Sequence, residues 1–500
     1  MSRQHILGTL LPGFVGTTLP EWVERMLREG LGGVCLFGEN IVSTSQLRAL
    51  TDAIRAANPD ALIAIDEEGG DVTRLYYDRG SPFPGNAVLG RLDDLDATRS
   101  VASAVGAELR AVGVNLDFAP DVDINSNPRN PVIGIRSFGS DPALVARHSA
   151  AWVEGLQAQG VAASIKHFPG HGDTAQDSHL ALPSVNASIE TLRERELLPF
   201  AAAVRAGAFT VMTSHIVLPR LDPAQPATFS AAVLEGVLRG ELGFDGVIVS
   251  DALDMVGASG EIGIPAAAVR ALAAGCDLLC IGTKNTEQQI DDIVDRVSSA
   301  LVDGELTVAR LAEATVRLRQ LGDRIRDAEV RAGGVPGATP GAATPDAALV
   351  AAMPDARRVV SSFALDPAAA ETLRGAGWVV VRVDTVANIA VGAVPWGPFR
   401  ALAEAGMVLP VVEVTEEDGD DRIGDMPLEA SVLVIGKDNE RRPRVTDLID
   451  ALRARHERVV VVDMGWPGDD PRYAGVATFG ASALVGDALA ALLIENGVRP

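Results

Sequence analysis

Over the first 330 residues, short apolar runs alternate with longer segments of helical periodicity. Apolar runs bounded by glycine or polar residues predict strands. Eight occur: HILGTLL (5–11), GVCLF (33–37), LIAID (62–66), VNLDF (114–118), AASIK (162–166), TVMTS (210–214), VIVSD (247–251) and DLLCIG (277–282). Between them lie segments such as PEWVERMLREG, SQLRALTDAIRAAN and PALVARHSAAWVEGLQAQG, which end at Gly or Asn as helices do. Strand–helix alternation repeated eight times predicts a (β/α)8 TIM-type barrel over residues 1–330. A doubly wound sheet is the alternative, but it more often opens on a glycine-rich phosphate loop, and none opens this chain. The stretch RAGGVPGATPGAATPDAA predicts a linker over 331–349. After it GWVVVRVD, ASVLVIGKD, ERVVVVDMG and GVATFGA, with helical runs such as PRVTDLIDALRARH, predict a second α/β domain over 350–500 with a largely parallel sheet. The acidic run EVTEEDGDDR (413–422) inside it reads as a solvated loop.

Composition narrows the function classes. With 500 residues the chain exceeds one ordinary core, which agrees with two domains. Aromatics are only 4% of residues, so the core is built from Ala, Val, Leu and Ile. The net charge of −24 repels polyanions, so no nucleic-acid partner is expected. Cys35, Cys276 and Cys280 lie in or beside apolar runs and read as three buried thiols. The N-terminal run, broken by Gly8, Pro12 and Gly13, reads as a first strand and not as a signal peptide. No apolar stretch is long enough for a membrane span, and a cytoplasmic location is the expectation. The chain is expected to be a monomer or a homodimer.

Polar residues collect at one end of the predicted strands, and in a (β/α)8 barrel chemistry sits at the C-terminal ends. Strand three ends in Asp66, before Glu67 and Glu68. Strand four holds Asp117 and runs on to Asp121 and Asp123. Strand five ends in Lys166-His167, strand six leads to Ser214-His215 and strand seven ends in Ser250-Asp251. Five consecutive strands thus aim ionisable or polar groups at one face, which is the pattern of an enzyme. His215 is placed in the pocket wall or against the substrate. The loop FPGHGDTAQDSHLALPSV (168–185) carries Asp177 and His179 two residues apart, so an extended segment puts both on one side. A carboxylate beside an imidazole fixes its tautomer and raises its basicity, as a general acid/base needs. Asp251 supplies a second, separate carboxylate, the other requirement of retaining glycoside hydrolysis. A neutral base does not repel an anion, so phosphate is a conceivable acceptor beside water. The spacings of His167, His171, His179 and His215 do not match a compact zinc pattern. No metal or cofactor is expected.

At these motifs the chain resembles glycoside hydrolase family 3, in its β-N-acetylhexosaminidase branch. The segments that carry the resemblance are GGVCLFGENI, AIDEEGGDVTRL, GVNLDFAPDVDINSNPRNPVIGIRSFGSDP, SIKHFPGHGDTAQDSH, VMTSHIVLPRLD and GFDGVIVSDALDM, most of residues 30–260. The resemblance implies Asp251 as nucleophile, His179 as acid/base partnered by Asp177, and Asp66, Arg74, Arg136, Lys166 and His167 as sugar-binding residues. It implies removal of terminal β-linked N-acetylglucosamine from oligosaccharides such as peptidoglycan fragments, and a C-terminal three-layer α/β/α sandwich. One departure is Asp71, where many relatives carry Arg directly after EGG. Three alternatives stay open. One is a substrate-assisted route with Asp66-Glu67 orienting the acetamide. Another is a β-glucosidase or mixed-specificity enzyme with an acid such as Glu416 or Glu417 from the second domain, or a phosphorolytic glycosidase of the same family. The third is a sugar-binding protein without turnover.

Overall fold

A computed structural model describes residues 3–175, 182–260, 262–333, 352–385, 389–415, 423–424 and 426–500. The chain forms two compact units. The first comprises residues 1–68, 95–133 and 140–353; the second comprises 69–94, 134–139 and 354–500. Two segments that follow barrel strands in sequence therefore group with the C-terminal part of the chain. Of the expected linker, residues 334–349 lie outside the described residues.

The first unit is an eight-stranded parallel sheet: β1 (Leu10–Pro12), β2 (Gly33–Cys35), β3 (Leu62–Ile65), β4 (Leu116–Asp117), β5 (Ala162–Phe168), β6 (Thr210–Thr213), β7 (Val247–Ser250) and β8 (Leu278–Gly282). Their order is β1-β8-β7-β6-β5-β4-β3-β2, with β1 beside β2 at the seam, a nearly closed barrel. Every expected strand region holds a strand, but the first is misplaced. Residues Arg3–Leu7 are helical and the strand is only Leu10–Pro12. The helix turns off at Gly8 and Thr9, whose N–H groups donate back to Gln4 O and Ile6 O. Ile6 and Leu7 are buried in the helix, and a short apolar run suits a buried helix or strand alike, so hydrophobicity alone did not separate the two.

The helices follow local signals. Ser43 caps Thr44–Ala57 by accepting from Gln46 N, and the helix buries Leu47, Leu50, Thr51 and Ile54 along one stripe. Thr286 and Gln289 form a reciprocal capping box on Glu287–Asp303, which ends at Gly304 with φ +77°. The barrel interior is filled by Leu11, Cys35, Leu62, Ala64, Leu116, Phe118, Ala162, Met212, Val249 and Cys280, and is packed, not open. Leu321, Ile325 and Ala328 of the helix Val308–Arg331 join this cluster. That helix also lines a recess with Phe209, Gly246 and Val247, which lie at or just before the starts of β6 and β7. It thus covers the N-terminal end of the barrel. The opposite end keeps the polar residues. All three cysteines are buried free thiols, as expected.

The second unit has a six-stranded sheet of β9 (Ala364–Leu365), β10 (Trp378–Asp384), β11 (Val411–Thr415), β12 (Ser431–Gly436), β13 (Val459–Asp463) and β14 (Val476–Ala477), ordered β9-β14-β13-β12-β10-β11. Only the β9–β14 pair is antiparallel. Alternate residues serve opposite faces. Trp378, Val380, Leu433, Ile435, Val460 and Val462 pack with Val485, Leu489 and Leu493 of the helix Ala483–Glu495. Val381, Val383, Val432, Val434 and Val461 pack with Ile449 and Leu452 of the helix Pro443–Arg455. Helices on both faces explain the nearly unbroken valine runs and give the expected three layers. The acidic run begins on β11 at Glu413, so its start is strand; residues 416–422, including Glu416 and Glu417, lie outside the described residues. No helix among the described residues is long and apolar enough to cross a membrane.

Candidate active site

Strand ends place the groups. Asp66 follows the last residue of β3, Lys166 and His167 lie within β5, and Asp251 follows the last residue of β7. Neighbours on a regular strand face opposite sides, yet Lys166 and His167 both find acidic partners. The β5–β6 register shifts between Ile165 and Phe168, and such an irregularity re-aims side chains.

Lys166 is 2% exposed, and its Nζ lies 2.7 Å from both Asp66 Oδ1 and Glu68 Oε1. One ammonium between two carboxylates fixes both acids and holds Asp66 at the rim, where its side chain is 20% exposed. Asp117 Oδ1 accepts the Glu67 backbone N–H at 2.9 Å. Burial pushes its carboxyl well up, opposed by that hydrogen bond. It therefore shapes the turn that presents Asp66 and Glu68.

Asp123 organises the next layer. Its Oδ2 is 2.7 Å from His167 Nδ1, and its Oδ1 accepts the His171 N–H at 2.6 Å. Burial acts to raise the Asp123 carboxyl, but the His167 hydrogen bond and the nearby imidazoles outweigh it and hold it below the usual range. With Nδ1 facing this carboxylate, the His167 ring is fixed in orientation. The His167 and His171 rings meet edge to face at 5.8 Å. His171 Nδ1 lies 2.8 Å from the Thr174 hydroxyl. Burial and the charge of His167 lower His171 to about 4, against the charges of Asp123 and Asp251. His171 is thus neutral near pH 7, and the charge of Asp251 is felt at its ring.

Asp251 is half-buried. Its N–H donates to Thr213 Oγ1 at 3.2 Å, and its Oδ1 accepts the Ala252 N–H at 2.7 Å. That short-range bond holds the carboxylate at the strand end. His215 is fully buried, with Nδ1 2.9 Å from Thr228 Oγ1 and Nε2 3.0 Å from the Ala252 carbonyl. Its ring braces the residue after Asp251.

Asp177 and His179 lie outside the described residues. Arg74 and Arg136 belong to the second unit. There Arg74 Nη2 donates to Ala390 O at 2.9 Å, and the Arg136 carbonyl accepts from Asn86 Nδ2 at 2.7 Å. Asp71 is committed in the same unit: its Oδ1 accepts the Ala481 N–H at 2.8 Å, and Lys437 Nζ lies 3.8 Å from its Oδ2. Glu68, Asp123 as a double acceptor, and Thr228 were not singled out from the sequence. The Asp121-Val-Asp123 spacing signalled Asp123; nothing local signalled Thr228.

Asp121, Asp123 and His167 are close enough together to hold a cation. The donor set fits poorly, because the Asp123 oxygens already accept two backbone N–H groups and face His167 Nδ1.

Residues 16–321 match the family model described as the glycosyl hydrolase family 3 N terminal domain. A beta-hexosaminidase A from Pseudoalteromonas piscicida is 38% identical over 332 residues, 61% of this chain and 55% of that protein. This chain therefore spans about half the length of that curated relative. A glycoside hydrolase family 3 beta-N-acetylglucosaminidase from Paenibacillus sp. str. FPU-7 is similar in structure, with a TM-score of 0.85, 30% identity and coverage of 99% of this chain and 97% of that one. NagZ from Neisseria gonorrhoeae, solved in complex with N-trifluoroacetyl-D-glucosamine, is 33% identical with a TM-score of 0.53, over 63% of this chain and 98% of its own. With a model match over most of the chain and the acidic and histidine groups at the expected barrel end, the protein belongs to glycosyl hydrolase family 3.

Proposed function

We propose that the protein is an exo-acting, retaining β-N-acetylglucosaminidase. The observation that carries this reading is the position of Asp251, held by Thr213 and Ala252 at the end of β7, on the barrel end that also carries Asp66, Lys166 and His167. Asp251 attacks the anomeric carbon, and the glycosidic oxygen leaves with a proton from His179, which Asp177 orients. Water, deprotonated by His179, then attacks the same carbon and releases Asp251, so configuration is retained. Asp66, held by Lys166, accepts hydrogen bonds from sugar hydroxyls, and His167 is a further sugar-binding group. The same role is proposed for Arg74 and Arg136 from the family resemblance. The β-hexosaminidase and N-acetylglucosaminidase names of the relatives support the acetamido sugar as the terminal unit, and peptidoglycan fragments as one substrate class.

The test is kcat/KM on an aryl β-N-acetylglucosaminide against the matching aryl β-glucoside, each with and without phosphate. A site that hydrogen-bonds the acetamide prefers the first by at least about 100-fold. Equal or reversed preference overturns the assignment. Glycosyl phosphate as the main product replaces hydrolysis by phosphorolysis.

A further inference from the structure

An ion-pair chain anchored on one buried carboxylate, Glu196, braces the loop after β5, and the chemistry above does not use it. Glu196 stands at the corner between the helices Ile189–Glu194 and Leu197–Arg205 and is 1% exposed. Its Oε1 lies 2.6 Å from Arg195 Nε and 3.4 Å from the Ser126 hydroxyl. Its Oε2 has no hydrogen-bond partner among the described residues. Arg195 continues the chain, with Nη2 donating to Asp173 Oδ2 at 2.6 Å. Gly170 presses on the same carboxyl from the loop side: a Cβ there would lie 2.9 Å from Glu196 Cβ and 3.0 Å from Oε2. The loop is thus gripped at Gly170 and at Asp173.

The loop is also held by Asp123, whose Oδ1 accepts the His171 N–H, and by Asn130. Asn130 Nδ2 donates to His171 O at 2.8 Å and to Gly172 O at 3.1 Å, and Gly172 lies so close to Ile124 O that a Cβ would meet it at 1.6 Å. A buried carboxyl with an oxygen left unpaired is costly, which stability alone does not favour. Burial moves Glu196 up to about 7, with Arg195 opposing and Asp123 and Asp173 adding to the rise. Residues 170–174 carry His171 and run, five residues later in sequence, to His179.

We propose that Glu196, acting through Arg195 and Asp173, is a positioning residue for proton donation to the leaving group. The inference rests on His179 as the proton donor. Its distinguishing consequence is selectivity for the leaving group. Expulsion of 2,4-dinitrophenolate needs no proton, whereas expulsion of phenolate does. A donor displaced by about 1 Å loses roughly 100-fold in rate, but only where its proton is needed.

The experiment compares kcat/KM for phenyl and 2,4-dinitrophenyl β-N-acetylglucosaminides in Glu196→Gln, with His179→Ala in parallel. Glu196→Gln is expected to lose at least about 10-fold on the phenyl glycoside and less than about twofold on the dinitrophenyl one. Equal losses, or none, in a folded Glu196→Gln overturn the proposal. If that variant does not fold, the more exposed Arg195→Lys and Asp173→Asn carry the same expectation and the same refutation. Selective loss in His179→Ala without it in the relay variants removes the relay alone. No selective loss in His179→Ala removes the proton-donor assignment, and the relay with it.

Discussion

Lys166 shows how a single residue sets the charge balance of the site. Its ammonium is the shared partner of Asp66 and Glu68, at 2.7 Å from each. Lys166→Met leaves these two carboxylates with that partner gone, and removal of one member of a buried pair costs about 3–5 kcal/mol. Urea unfolding of the variant measures it; a loss below about 1 kcal/mol contradicts the reading of a buried, shared ion pair. His171 gives a pH prediction. Burial and His167 lower it from 6.5 to about 4, so between those values the unfolded chain binds the extra proton. Its contribution is present above pH 6.5 and is lost as pH falls toward 4. Wild type should therefore lose more stability than His171→Gln between pH 7 and pH 4.5, read as unfolding midpoints. Equal losses contradict the shift. Asp251 was legible in the sequence because strand-end position and motif agreed. The role of Asp123 was not, because the register shift in β5 that lets His167 reach it leaves no trace in residue pattern.

At the scale of elements, the barrel depends on one long helix as well as on its strands. Val308–Arg331 brings Leu321, Ile325 and Ala328 into the interior cluster. At its start, Arg310 and Arg317 reach Asp277, the buried residue before β8, which Arg239 also contacts at 2.7 Å. Leu321→Ala should cost about 2–5 kcal/mol, from lost transfer energy and a residual cavity. The urea midpoint measures this, and an unchanged midpoint contradicts the covering role. The sequence pattern showed eight strand regions because each is a β-rich apolar run between glycine or polar stops. It did not show the helix Arg3–Leu7, since five residues with only Ile6 and Leu7 buried are too short to reveal a period. Nor did it show β9 as a strand, two exposed residues carried by pairing with β14 alone.

At the scale of the molecule, the two compact units do not follow one cut in the chain. Residues 69–94 are held by the C-terminal part: Val88 is in its apolar cluster, Asp71 accepts from Ala481, and Arg91 donates to Ser362 O. Composition predicted a linker and two successive domains; contacts distant in sequence regroup two loops, and no local pattern encodes that. A chain ending at residue 353 lacks every one of these partners. It should expose 69–94 to protease and lose activity, whereas an intact, protected and active truncation contradicts the grouping. The central claim is the covalent role of Asp251, and trapping tests it most directly. A 5-fluoro-N-acetylglucosaminyl fluoride slows both steps yet keeps the acetamide, so the substrate-assisted route remains available to it. Peptide mass spectrometry after denaturation should find one sugar on Asp251 in the wild type and none in Asp251→Asn. Turnover of the reagent with no label on Asp251, or a label on another residue, contradicts the account.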